Sequence, residues 1–317
     1  MRSFIRRLAI LATLVAMLPG SAGALDILLT NDDGYDAPGI TVLHAALVGA
    51  GHNVTVVAPA ENQSGKGGSI NTEVFDFTPG VGAMTLIHYG GGLWSLAGTP
   101  VDSVKAGLDI VLKDSPPDLV VSGCNFGQNI GKPGSTASGT EGAALAASFA
   151  GVPAIACSVG LLFQEAGDDF PSTVAALAPA ADWIVRAIDS LVEKNGTEVL
   201  GQKTAILNVN FPVPYESIQG VKIVDLADGG DLQLPLFDPS QGFPAFGIPP
   251  LPFPSCADAA AMGGACFATV GLGFSADESN KTDLGAFRDG YITVTPYSAD
   301  MTGPDNGTSG AVKQIEP

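Results

Sequence analysis

Leu28-Leu29-Thr30-Asn31-Asp32-Asp33-Gly34-Tyr35-Asp36 joins the end of an apolar run to two adjacent carboxylates and a glycine. The run suits a buried strand, and in an open parallel α/β sheet ligands bind beyond the carboxyl ends of the strands. Side chains in the first strand-to-helix turn therefore point at whatever is bound. Two neighbouring carboxylates raise each other's pKa unless a cation or hydrogen-bond donors neutralise them, and a hard divalent cation does this well. Asn, Asp and Gly also favour turns for purely local reasons, so on spacing alone an ordinary turn is an equal alternative.

Outward from this stretch, strand and helix signals alternate. The first strand is expected at 26–30, with a helix from Pro38 that places Ile40, Leu43 and Leu47 on one face and His44 beside them as packing. Val54 to Ala58 is β-branched and nearly continuous, as buried parallel strands are. It runs into a polar loop that holds Ser64. Val74 to Phe77 and Met84 to Tyr89 read as a hairpin or edge excursion. Gly98-Thr99-Pro100-Val101-Asp102 is a strong helix start, with Thr99 as cap and Pro100 in the first turn. Asp118 to Ser122, Ala154 to Ser158 and Ala205 to Asn210 are further strands, and helices are expected from Glu141 to Ala150 and from Thr173 to Asn195. This alternation predicts right-handed βαβ units: a three-layer, Rossmann-like, doubly wound and mostly parallel α/β sheet. A late strand is expected at 290–296. Seven prolines and four phenylalanines between Leu234 and Pro254 exclude regular structure there.

Three strand-end turns thus aim Asp32 and Asp33, then Ser64, then Asn125 at one crevice. Two carboxylates, a hydroxyl and an amide carbonyl are hard oxygen donors suited to Mg²⁺ or Mn²⁺, with Ca²⁺ a further candidate. Ser138-Gly139-Thr140 opens the alanine-rich helix and offers hydroxyls with unpaired backbone amides, an anion site by helix-terminus physics. An ordinary Ser/Thr cap is the commoner use of such a triplet.

Arg2, Arg6 and Arg7 precede an apolar run from Leu8 to Leu18 and the small residues Ala22-Gly23-Ala24, the pattern of a secretory leader cut after Ala24. The run is short of the ~20 apolar residues a spanning helix needs, so no stable membrane span is expected; a signal anchor is the lesser alternative. The domain plan is then 1–24 leader, 25–215 core, and 216–317 a C-terminal β extension with the proline-rich insert. The mature chain keeps 293 of 317 residues, with 11 basic against 32 acidic side chains and a net charge of −21. So acidic a chain will not hold a nucleic-acid polymer by its phosphates, although a cation or backbone amides can hold one phosphate. Cys256 and Cys266 are expected to pair in an oxidising compartment, while Cys124 and Cys157 read as small buried residues.

The motifs together resemble the SurE survival proteins, a family of metal-dependent nucleotidases and phosphatases. They are Ile27 to Gly34 with Gly39-Ile40, Ala58-Pro59, Asn62-Gln63-Ser64-Gly65, Gly98 to Asp102, Ser122 to Asn129, Ser138-Gly139-Thr140, Asn208-Val209-Asn210-Phe211-Pro212, Thr282-Asp283 and Gly290 to Pro296. The resemblance implies a Rossmann-like fold whose C-terminal arms are exchanged between subunits, a homodimer or homotetramer. It implies Asp32, Asp33, Ser64 and Asn125 as metal ligands, with Asp32, Asp33 and Asn125 at the centre of catalysis. Asn129 and the Ser138-Gly139-Thr140 turn would hold the phosphate of a nucleoside monophosphate, cleaved at its 5′ or 3′ position, or of another monoester. The expected activity is an exported, periplasmic or secreted, divalent-metal-dependent 5′-nucleotidase or acid phosphatase. An extracytoplasmic ligand-binding protein without catalysis, or a transferase that grips a nucleotide diphosphate through paired aspartates, would use the same crevice differently.

Export with cleavage after Ala24 predicts that protein from the extracytoplasmic fraction begins at Leu25. Intact-mass measurement checks this, and cytoplasmic protein that retains Met1 contradicts it.

Overall fold

The computed structural model describes residues 23–71, 83–196, 200, 201, 204–230, 236, 237, 268, 269 and 279–299. The expected leader, the Val74 to Phe77 strand, the Cys256 and Cys266 pair and nearly all of the proline-rich segment lie outside the described residues.

The central strand β1, Asp26–Thr30, shows why the sheet is covered on both sides. Ile27 and Leu29 point into one core cluster and Leu28 into the other, all three at 1% exposure or less. Successive strand side chains alternate between faces, so an unbroken apolar run needs two apolar layers. One layer is α1, Pro38–Gly49, packed with the long α5, Pro171–Asn195; the other is α2, Pro100–Ala106, with α4, Gly139–Phe149. Helix α1 starts with Pro38 in its first turn and buries Ile40, Leu43 and Leu47, the expected stripe. Helix α2 starts with a capping box between Thr99 and Asp102 and runs on into a π-helical turn at Gly107–Val111.

The remaining sheet strands are β2 Asn53–Pro59, β3 Leu86–Gly90, β4 Leu93–Leu96, β5 Leu119–Phe126, β6 Ala154–Val159, β7 Ala205–Phe211 and β8 Gly220–Ile223. Two-residue strands β9, Leu236–Phe237, and β10, Ala268–Thr269, pair antiparallel as a separate ribbon. Strand β11, Tyr291–Ser298, closes the described chain. The nine-stranded sheet runs β3-β4-β2-β1-β5-β6-β7-β11-β8. Only β3 on β4 and β11 on β7 are antiparallel. The chain leaves β1 toward β2 on one side and returns to β5 on the other, so β1 and β5 flank the topological switch point where such sheets bind ligands.

Several elements were not expected, the two-residue strands β9 and β10 among them. β4 is a short apolar tetrapeptide between glycines. Helix α3, Gly131–Ala137, carries two glycines and a proline that read as loop, yet Pro133 falls in the first turn, where its missing N–H costs no helical bond. Strand β8 and helix α6, Asp283–Arg288, lie beyond residue 215. The segment assigned to an extension therefore supplies two strands of the main sheet, with β11 wedged between β7 and β8. Among the described residues no helix is long and apolar enough to cross a membrane.

The first turn of α1 lies against the end of β5 so closely that a Cβ at Gly39 would stand 1.9 Å from the Cys124 carbonyl oxygen. Gly39→Ala should cost about 3 kcal/mol or more, at or above the upper end for overpacking, because the obstacle is backbone. Gly49→Ala, where nothing lies within 4 Å, should be neutral or slightly stabilising. Urea midpoints of the two variants check the contrast.

Candidate active site

The turn after β1 is held by Asn31, whose amide donates to the Gly34 carbonyl at 2.8 Å and whose Oδ1 accepts from the Gly34 N–H at 3.3 Å. That bracket sends Asp32 inward, 3% exposed, and leaves Asp33 half-buried at the rim. The Asp32 backbone carbonyl accepts from Gln63 N–H at 2.7 Å, which ties the loop after β2 to this turn. In that loop Asn62 reaches from Asp33 Oδ1, at 3.4 Å, to the Ser64 N–H, at 2.9 Å. At the end of β5, Phe126 N–H donates to Asp33 Oδ2 at 3.0 Å. Asn125 commits its amide N–H to the Gly127 carbonyl at 2.6 Å, so the oxygen of its side chain is the end left for a ligand.

Asp32, Ser64, Asn125, Asn129 and Ser138 line one cleft of about 210 Å³, and Asp33 stands at its edge. The turns expected to converge do so. Burial pushes the Asp32 carboxyl above the ordinary range, and Asp33 rises to about 6 through burial and the adjacent Asp32 charge. None of the ion pairs among the described residues involves either carboxylate. Two adjacent like charges, one buried and one half-buried, with hydrogen-bond donors but no cation paired to them among the described residues, are in the electrostatic condition that a divalent ion relieves. No group of three His, Cys, Asp or Glu side chains converges among the described residues. A cation here would therefore rest on two carboxylates and neutral oxygens, the hard donor set that Mg²⁺ or Mn²⁺ accepts with waters completing the shell.

The start of α4 carries donors to a carboxylate of its own chain. Thr140 Oγ1 donates to Asp32 Oδ1 at 2.7 Å, and the Gly139 and Thr140 backbone amides also stabilise the Asp32 carboxylate. A Cβ at Gly139 would stand 2.7 Å from Asp32 Cβ, so only glycine admits this approach. The helix terminus thus binds a carboxylate of its own chain. Ser138 caps the helix through Glu141 N–H at 3.1 Å and still lines the cleft, whereas Thr140 is fully buried behind it.

Asn129 likewise turns inward. Its side-chain amide donates to Ser158 Oγ at 2.9 Å and reaches Thr140 Oγ1 at 3.4 Å, which forms a chain from Asn129 through Thr140 to Asp32. Its backbone is clamped by two residues that the sequence reading left without a role. Asn210 Oδ1 accepts from Asn129 N–H at 2.8 Å, and the Asn208 and Asn210 amides donate to the Asn129 carbonyl at 2.9 and 3.0 Å. Asn208 also donates to Glu141 Oε1, and the Tyr297 hydroxyl of β11 donates to Glu141 Oε2. The available signal was two asparagines at alternate positions of a strand, side by side on one face, where apolar side chains are the rule.

A family model described as survival protein SurE matches residues 27–230. The chain is 32% identical over 279 residues to the 5′-nucleotidase SurE of Rhizorhabdus wittichii, spanning 87% of this chain and 94% of that protein. It is 40% identical over 199 residues to the 5′-nucleotidase SurE of Halobacterium salinarum, spanning 63% and 69%. The crystal structure of the SurE protein from Aquifex aeolicus matches with a TM-score of 0.61 and 28% identity over 91% of this chain and 98% of that one.

Burial raises the Glu141 carboxyl from its ordinary 4.5 to about 7. The unfolded chain then loses this proton at lower pH than the folded one, so Glu141 opposes folding fully above pH 7. That penalty is relieved as pH falls from about 7 to about 4.5, by up to about 3 kcal/mol. In chelator, the melting temperature should rise as pH is lowered from 8 to 6, and Glu141→Gln should flatten the rise. Scanning calorimetry across that window measures both.

Proposed function

The chain belongs to the survival protein SurE family, and on that premise we propose that it is an exported, divalent-metal-dependent phosphomonoesterase acting on nucleoside monophosphates. The observation that carries the reading is the adjacent pair of carboxylates at the switch point, Asp32 buried and Asp33 half-buried, with no cationic partner among the described residues and with the Asn125 side-chain oxygen lining the same cleft. The relatives named 5′-nucleotidase SurE favour the 5′ position, with 3′-nucleotides and other phosphate monoesters as further substrates.

Asp32, Asp33, Ser64 and Asn125 would hold the ion, Mg²⁺ or Mn²⁺ first and Ca²⁺ next. When bound, such an ion polarises a phosphoryl oxygen and lowers the pKa of a water. The chain's own residues do the rest. Thr140 and the α4 amides orient the Asp32 carboxylate, and Phe126 N–H orients Asp33, so both carboxylates are fixed before substrate arrives. Ser138 can turn its hydroxyl hydrogen toward a phosphate, because its oxygen already accepts the cap bond. A homodimer or homotetramer formed by the region after residue 215 is supported by Val221 and Ile223, which are 48% and 78% exposed on edge strand β8.

Protein treated with chelator should release no phosphate from a panel of 5′- and 3′-nucleotides, and Mg²⁺ or Mn²⁺ should restore release. Asp33→Asn should keep the fold, being nearly isosteric, and lower kcat at saturating metal by roughly a hundredfold or more. Thr140→Val should weaken metal binding roughly 10- to 100-fold, the usual cost of losing a partner behind a ligand. Chelator-resistant turnover, or wild-type kcat in Asp33→Asn, overturns the proposal.

A further inference from the structure

One half of the cleft plays no part in the metal and phosphate chemistry. Its apolar lining includes Phe126, Leu161 and Phe163, with no charged side chain among them. Phe126 is half-buried, and its backbone N–H is the donor to Asp33, so this ring is attached at the metal-side carboxylate. Phe163 is 42% exposed at the first position of the 3₁₀ turn Phe163–Asp168. Among the described residues Phe163 belongs to none of the apolar core clusters.

The wall is braced from behind. Gln128 Oε1 accepts from Leu161 N–H at 2.9 Å, which pins the segment carrying Leu161 and Phe163 to the loop after β5. Phe170 meets Phe126 edge to face, with ring centroids 5.9 Å apart at 80°. It does so from a backbone at φ +53, next to Asp169 at φ +56, a form that side-chain-bearing residues seldom adopt. The segment from Leu161 to Phe170 thus keeps two phenylalanines at the Phe126 side of the cleft.

We propose that Phe126, Leu161 and Phe163 form the subsite for the nucleobase, held by stacking and apolar contact and not by base-edge hydrogen bonds. This rests on the reading of the cleft as a nucleotide phosphatase site and adds what selects the leaving group. A flat ring attached to a phosphate-bearing sugar matches a cleft lined by both polar and aromatic side chains. Every base has a π-face, so stacking tolerates all of them. AMP, GMP, CMP and UMP are therefore used within about tenfold of one another in kcat/KM, and all are preferred to glycerol phosphate, which has no ring.

Two measurements test this on metal-loaded protein. In kinetics, Phe163→Ala lowers the ratio of kcat/KM for AMP to that for glycerol phosphate by roughly tenfold, and Phe163→Tyr restores it. In saturation-transfer NMR with adenosine, which carries no phosphate, the adenine protons are saturated by the wild-type chain, and the effect falls in Phe163→Ala. An unchanged ratio overturns the subsite, and so does the absence of saturation in wild-type protein that hydrolyses AMP. If wild-type protein releases phosphate from no ester yet saturates adenine protons through Phe163, the phosphatase reading fails and the base subsite stands.

Discussion

The Asp32 carboxylate, buried against the start of α4, is the constraint on which the site depends. A carboxylate at 3% exposure is tolerated only where donors surround it, and here the Thr140 hydroxyl and the amides of Gly139 and Thr140 do so. Those donors exist because α4 begins at that point, and Gly139 allows the approach because it has no side chain. The pairing fixes the distance between the end of β1 and the start of α4. Everything else in the cleft is placed relative to it.

The second support is an amide scaffold. Asn129 sits where the loop after β5 turns back, and its backbone and side chain are both held by strands on the far side of the switch point, through Asn210, Asn208 and Ser158. Asp283 at the head of α6 extends the scaffold, accepting from Gly131 N–H and Ala227 N–H at 2.8 and 2.9 Å. A rigid loop here keeps Asn125 and Phe126 in register with the aspartates. Cys124 and Cys157, both fully buried, fill the space behind it.

Much of this was legible in the sequence, for reasons that differ by residue. The apolar run of β1 and the Thr99–Asp102 start of α2 are local signals, and local signals survive folding when tertiary packing agrees with them. The convergence of Asp32, Ser64 and Asn125 followed from the single rule that strand ends face one crevice. What could not be read was how the donors would be shared. A Ser-Gly-Thr helix start promises an anion site but does not say which anion, and the Asp32 carboxylate, 108 residues away from Thr140 in the chain, is closer than any ligand. Helix α3 was hidden by its glycines and proline, and β8 by the change in composition after Pro212.

The position of β11 has a consequence for the order in which the molecule becomes competent. All four side chains read as cation ligands have been synthesised by residue 125, and the helix that orients Asp32 by residue 149. Tyr297, which holds Glu141 beneath the asparagine scaffold, is 156 residues further along than its partner, on a strand that must insert between β7 and β8. A ribosome-bound chain thus carries the whole set of reactive side chains for most of its synthesis without the strand that steadies them. Insertion of that strand spans a long sequence separation, the kind of pairing that forms slowly, so the brace on Glu141 depends on a segment made long after the side chains of the cleft.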